Sequence, residues 1–130
     1  MRYLGIDYGA KRIGLALSDE KGGFAFPHET IPNDMSAIDR ITKIIRKEKV
    51  GEIVMGDTRA DTGAENLISK DADAFAAQLA THTGLPVHRM REAWSSHEAA
   101  RFAPKGKEHD DTAAAAIILQ RYLDGLIKTD

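Results

Sequence analysis

The chain has no cysteine in its 130 residues. That excludes a disulfide framework, a thiolate zinc site and a cysteine nucleophile, and it suits a reducing compartment. No apolar run approaches the ~20 residues that a membrane-crossing helix needs. No signal-peptide pattern opens the chain, so MRYLG is expected to enter a strand directly, no membrane partner is expected, and a cytoplasmic location follows. An excess of one charge is also lacking. The formal net charge is −2, which excludes a binder of nucleic acid that is strongly basic over its whole surface. Phosphate binding would need a local patch. Arg89, Arg91, Arg101, Lys105 and Lys107, with Lys11 and Arg12, could form one or could simply be solvated surface charge. Several motifs are missing too. There is no HExxH-like spacing among the histidines, no G-x-S-x-G elbow, no Walker A loop and no Rossmann glycine fingerprint.

The composition that remains, 42% hydrophobic and 29% charged, is that of an ordinary globular chain. Its length suits one domain over residues 1–130. Residues 2–7 read as a first strand ending at Asp7. Residues 12–18 read as a second, because Ile13, Leu15 and Leu17 alternate with Gly14, Ala16 and Ser18. The small residues on one face imply close packing against a helix or backbone. Residues 24–31 read as a third strand, and Pro27 assigns it to a sheet edge. Ser36 and Asp39 have capping-box spacing, and Ile38, Ile41, Ile44 and Ile45 give a helical stripe over about 36–48. Val50 to Gly56 reads as a buried fourth strand. A long helix runs to about Thr83 and closes at Gly84; a fifth strand follows at 86–90. A short helix is expected near 96–103, and a last helix from Asp111 to about Leu126. The order is βββαβαβαα, an α/β chain whose fourth and fifth strands each follow a helix, as in parallel crossovers.

Carboxylates carry the chemistry that this pattern permits. Magnesium and manganese take hard oxygen ligands, and two such ions about 4 Å apart can activate water and stabilise the leaving oxygen of a phosphodiester. The carboxylates must then come from distant positions to strand ends or helix starts beside the sheet. Asp7 ends a strand just before Gly9, although an Asp there could equally form an Asx turn. Asp111 opens an alanine-rich helix, where an acid is also favoured by the unpaired amides; the alanines imply that this helix start is pressed closely against something. Glu108, His109 and Asp110 lie in the same cluster. Glu92 follows the fifth strand and Asp57 directly follows the fourth.

The blocks GIDYGAKRIGLALSD, GEIVMG with its glycine-containing loop, TGLPV and DTAAAAIILQRYLD resemble the YqgF-like family. These are Holliday-junction-resolvase-like nucleases that are also described as pre-16S rRNA nucleases. The resemblance runs from residue 2 to about 124, and its first and last blocks are the specific ones. It implies a ribonuclease H-like fold, with a mixed five-stranded sheet flanked by helices and strand two antiparallel to the rest. It also implies that Asp7, Glu92 and Asp111 are the catalytic acids and hold one or two Mg²⁺ or Mn²⁺ ions. Asp57 and Glu108 are candidate extra ligands. Lys11, Arg12, Arg59 and Arg91 would hold flanking phosphates. The segment REAWSS (91–96) departs from the family's usual D-E-R-L-T-T: Arg91 and Ala93 replace the usual Asp and Arg, while Glu92 keeps the acid. The implied substrate is structured precursor rRNA, cut at the 5′ end of 16S rRNA. Branched DNA is the alternative, and a junction resolvase should be a two-fold dimer. Two other readings stand beside these. Actin-like ATPases and sugar kinases share the strand–D-x-G–strand opening but need two such domains. A nucleic-acid-binding domain that has lost its site would also fit the altered REAWSS segment.

Overall fold

A run of residues that alternates large and small can bury both faces of a strand, and the second strand shows what that requires. In the computed structural model, which describes residues 1–57, 67–91 and 111–128, β2 (Arg12–Ser18) is buried from Ile13 to Ser18. It lies between β1 (Arg2–Tyr8) and β3 (Ala25–Pro32), antiparallel to both. β1 pairs on its other side with β4 (Val50–Asp57), and β4 with β5 (Val87–Arg91), both in parallel. The sheet order is β3-β2-β1-β4-β5, so β2 alone runs against the other four. The mixed five-stranded sheet expected from the sequence is present. Pro27 lies on an edge strand as expected, beside a bulge: Leu15 pairs with Glu29 and Ala16 with Pro27, leaving His28 as the extra residue.

Three helices complete the described fold: α1 (Ala37–Glu48), α2 (Leu67–Thr83) and α3 (Asp111–Lys128). The short helix expected near 96–103 lies outside the described residues. On one face of the sheet Leu4, Ile6, Ile13, Leu15 and Leu17 bury against Ile41 and Ile45 of α1 and Phe75 and Leu79 of α2. On the other face Ala16 and Val54 bury against Ala115, Ala116, Ile118 and Leu119 of α3. The small residues of β2 therefore serve the packing that their pattern implied. α2 ends where expected: Gly84 takes φ +73 and its N–H donates to the Ala80 carbonyl, a C-terminal cap that glycine adopts without strain. Among the described residues, no helix is long and apolar enough to cross a membrane.

The start of α1 differs from expectation. Ser36 is the cap residue, yet its side chain makes no capping bond. Asp34 instead accepts from both the Ser36 amide (2.9 Å) and the Ser36 hydroxyl (2.5 Å). The Ser36 oxygen then accepts from Arg40 Nε at 2.9 Å. A local Asx turn has captured the hydroxyl that the capping box would have used.

β1 and α3 approach closely. A Cβ placed on Gly5 would lie 2.8 Å from Leu119 Cβ and 2.9 Å from the Ala115 carbonyl oxygen. Gly5→Ala should therefore push α3 off the sheet and cost about 1–3 kcal/mol, the usual penalty of overpacking. The check is urea unfolding, with a lower midpoint at an unchanged slope. A midpoint equal to that of the parent chain would show that helix and strand do not touch here.

Candidate active site

The end of β1 is the place to start, because strand alternation decides what Asp7 faces. Leu4 and Ile6 point into the core beneath α1 and α2. Tyr3 packs its ring against Tyr122 of α3, with centroids 5.9 Å apart. Gly5 meets Ala115 and Leu119. Asp7 continues this second face. Because Tyr3 meets Tyr122 and Gly5 meets Ala115, α3 runs antiparallel to β1. From Gly5 to Asp7 the strand advances roughly 7 Å, and from Ala115 back to Asp111 the helix descends roughly 6 Å. Asp7 and the first turn of α3, where Asp111 is the first residue, thus lie at one level on one face of the sheet.

The parallel strands finish at the same end. Ile6 is level with Met55 and Met55 with Arg89, so β1, β4 and β5 present Tyr8, Asp57 and Arg91 side by side. Crevices outside the carboxyl ends of parallel strands are the usual ligand positions in open α/β sheets. Glu92 is the next residue after β5, but it lies outside the described residues, as do Arg59 and Glu108. The side chains of Asp57, Arg91 and Asp111 lie outside them as well. Asp7 is half-buried, a hard oxygen donor of the kind that a divalent cation takes. Among the described residues no three metal-ligating side chains converge. The donor set is thus one described carboxylate plus the helix start that stands beside it.

The turn after β1 is held from a distance. A Cβ on Gly9 would lie 2.6 Å from the Arg12 carbonyl oxygen, so only glycine fits there. Asn33, just past β3, straps this turn. Its amide N–H donates to the Lys11 carbonyl at 2.9 Å, and its side-chain Nδ2 donates to the Gly9 carbonyl at 2.7 Å. Lys11 and Arg12 are exposed on the strapped turn. Next to Asp7, Tyr8 faces the opposite way and packs against Phe75 of α2 at 5.1 Å, which anchors the strand end from beneath. In the sequence Asn33 reads only as punctuation in Pro32-Asn33-Asp34. Its partners lie 22 and 24 residues earlier, and no local signal points to them.

Two groups beside this region have settled electrostatics. The Asp34 carboxyl is held below the usual carboxylate range by the Ser36 hydroxyl, then by the Ser36 amide, with Arg40 adding to the effect. Arg89, grouped with the basic patch on sequence grounds, instead donates to Asp73 at 2.7 Å and to the Gly56 carbonyl at 3.2 Å. It braces α2 and β4 in the fold and is committed to that role.

Known proteins resemble this chain in both sequence and fold. Residues 1–125 match the family model described as RuvX, Holliday junction resolvase. A relative from Maridesulfovibrio salexigens is 36% identical, over 95% of this chain and 98% of its own length. One from Anaeromyxobacter sp. is 39% identical, over 96% and 98%. Both carry the name "Putative pre-16S rRNA nuclease". Among solved structures, the fold is similar to that of Thermus thermophilus RuvC in complex with a Holliday junction substrate. The TM-score is 0.65 at 17% identity, covering 99% of this chain and 98% of that one. A likeness that distant concerns the fold.

Asn33→Ala should remove the strap to Gly9 and leave a partly buried carbonyl unpaired, at a cost of about 1–3 kcal/mol. Asn33→Asp should cost more at neutral pH, because it sets a carboxylate against a carbonyl oxygen. Thermal unfolding of the two variants checks this order, and a neutral Asn33→Asp would show that the strap does not hold the turn.

Proposed function

Because the chain belongs to the RuvX family, we propose that it is a divalent-metal-dependent nuclease, a phosphodiesterase that processes the 5′ end of precursor 16S rRNA in the cytoplasm. The single observation that carries this reading is the shared level of Asp7 and the start of α3. It would let two carboxylates 104 positions apart in sequence, Asp7 and Asp111, serve one site, with Glu92, the residue after β5, as the third acid. Mg²⁺ or Mn²⁺ held by Asp7, Glu92 and Asp111 would supply Lewis-acid activation of water and charge neutralisation at the leaving oxygen. The chain's own contribution is placement. β1 and its strapped turn fix Asp7, and the exposed Lys11 and Arg12 offer charge to phosphates beside the scissile bond without reading sequence. Arg59 and Arg91 would extend that grip. Asp57 and Glu108 are reserve ligands.

The name shared by relatives more than a third identical favours RNA. The family description favours a four-way DNA junction, and this is the second reading. A resolvase of that kind would work as a two-fold dimer, with two sites on symmetric strands.

Asp7→Asn should lower Mn²⁺-dependent cleavage of a structured precursor-rRNA fragment by at least about a hundredfold, as expected when several kcal/mol of metal-derived stabilisation is lost. Asp57→Asn should have a much smaller effect. Cleavage by the Asp7 variant at the parental rate would sink the reading. Turnover of a four-way junction but not of RNA would transfer it to the resolvase.

A further inference from the structure

The net charge of −2 hides a concentration of cations on α1. Arg40, Lys43 and Lys47 are spaced i, i+3 and i+7, which puts them on one side of the helix, and all three are exposed. Arg40 and Lys43 line a cleft of ≈ 460 Å³ between α1 and the edge strand β3, whose floor is Ile31 and Ile44. The two acids at this cleft, Glu29 and Asp39, each have a histidine nitrogen within 4 Å: His28 at 3.7 Å and His82 at 3.9 Å. Three residues before Glu29 on β3 stands Phe26, 44% exposed, and two further back Phe24, 73% exposed. Phe26 pairs with Leu17, which belongs to the core on the α1 side. The backbone of Phe24 is pinned, since its N–H donates to Asp19 Oδ1 and its carbonyl accepts from the Asp19 amide. Two exposed aromatic rings thus stand further back along β3 from a cleft whose wall carries Arg40 and Lys43 together with Glu29 and Asp39. The other end opens where α1 begins, four residues after Asn33, at the same end of the sheet as Asp7 but on the opposite face.

Cations in a row beside exposed rings suit one class of partner. Phosphates need the former, and unstacked bases need the latter. A duplex would hide its bases from Phe24 and Phe26, whereas a single strand offers both. We propose that the α1–β3 cleft is a track for a single-stranded RNA segment flanking the cleavage site, with phosphates along Arg40, Lys43 and Lys47 and bases stacked on Phe26 and Phe24. The choice of RNA rests on the functional reading above; the single strand rests on the groove.

The test is binding of a fluorescent 12-nucleotide RNA to the full chain in EDTA, where metal chemistry is silent, with DNA of the same sequence as a second probe. Lys43→Glu with Lys47→Glu should weaken RNA binding at least about tenfold and lower the salt slope by about 0.7 for each phosphate no longer neutralised. Phe26→Ala should weaken it by about tenfold at an unchanged salt slope, as expected when one base loses its stacking partner. Thermal melting confirms that each variant is folded, and the charge variant keeps the test sharp if Phe26→Ala is not. Binding by both variants within twofold of the parent overturns the proposal. So does tighter binding of the DNA probe, or loss of self-association in the charge variant without loss of RNA binding. Failure here leaves the Asp7→Asn result standing, and failure of Asp7→Asn leaves this binding measurement standing.

Discussion

α3 approaches β1 so closely that a single methyl group at Gly5 would collide with both its side chain and its backbone. The rest of the arrangement depends on that approach. It exists because the helix offers alanine from 113 to 116, all fully buried, and because the facing sheet offers Gly5 and Ala16. Small residues on both sides bring the backbones together, and dispersion across that seam replaces the interdigitation of large side chains found on the other face. The seam also constrains axial position. Packing at this seam helps set the level of the helix's first residue relative to Asp7, and Gln120, which accepts from the Ala25 amide and donates to the Gly23 carbonyl, ties the helix to the sheet as well.

Much of this was readable in the sequence where the signal was local. The alternation in β2, the edge position implied by Pro27 and the stop at Gly84 all rest on neighbouring residues, and each matches the structure. The capping box at Ser36 was a local signal with a local competitor, Asp34, and the competitor took the hydroxyl. Lys49 closes α1 in the left-handed region at φ 56, and nothing in a lysine announces that. For the site, Asp7 was visible as an acid at a strand end. Its alignment with α3 was not, because it depends on which residue of a distant helix meets Gly5. The pairing of Arg89 with Asp73 was hidden for the same reason: sequence can count charges but cannot say which are already spent on the fold.

The distribution of charge follows from this. Cations that look equivalent in sequence divide into those that brace elements, such as Arg2 on Glu48 at 2.9 Å and Arg89 on Asp73, and those that face solvent along α1. A chain with a small net negative charge can thereby keep a polyanion off most of its surface and still receive it along one line. The faces differ in grain as well as in charge. The α3 side meets β1 and β2 through Gly5, Ala16 and the alanines at the helix start, with Ile118, Leu119 and Leu123 further along, and carries the candidate chemistry. The α1 side is built from large residues and carries the cations.

The Asn33 strap has a consequence for the order in which the protein acquires its structure. The β1–β2 hairpin is local and can form early, but its turn is tied by a residue that arrives after β3 has been laid down. Closing that tie costs loop entropy that the hairpin alone cannot recover. The turn beside Asp7 should therefore become rigid together with the three-stranded meander, as one cooperative unit, and exchange of the Asn33 amide, which donates to the Lys11 carbonyl, should follow the opening of β3 rather than that of the hairpin.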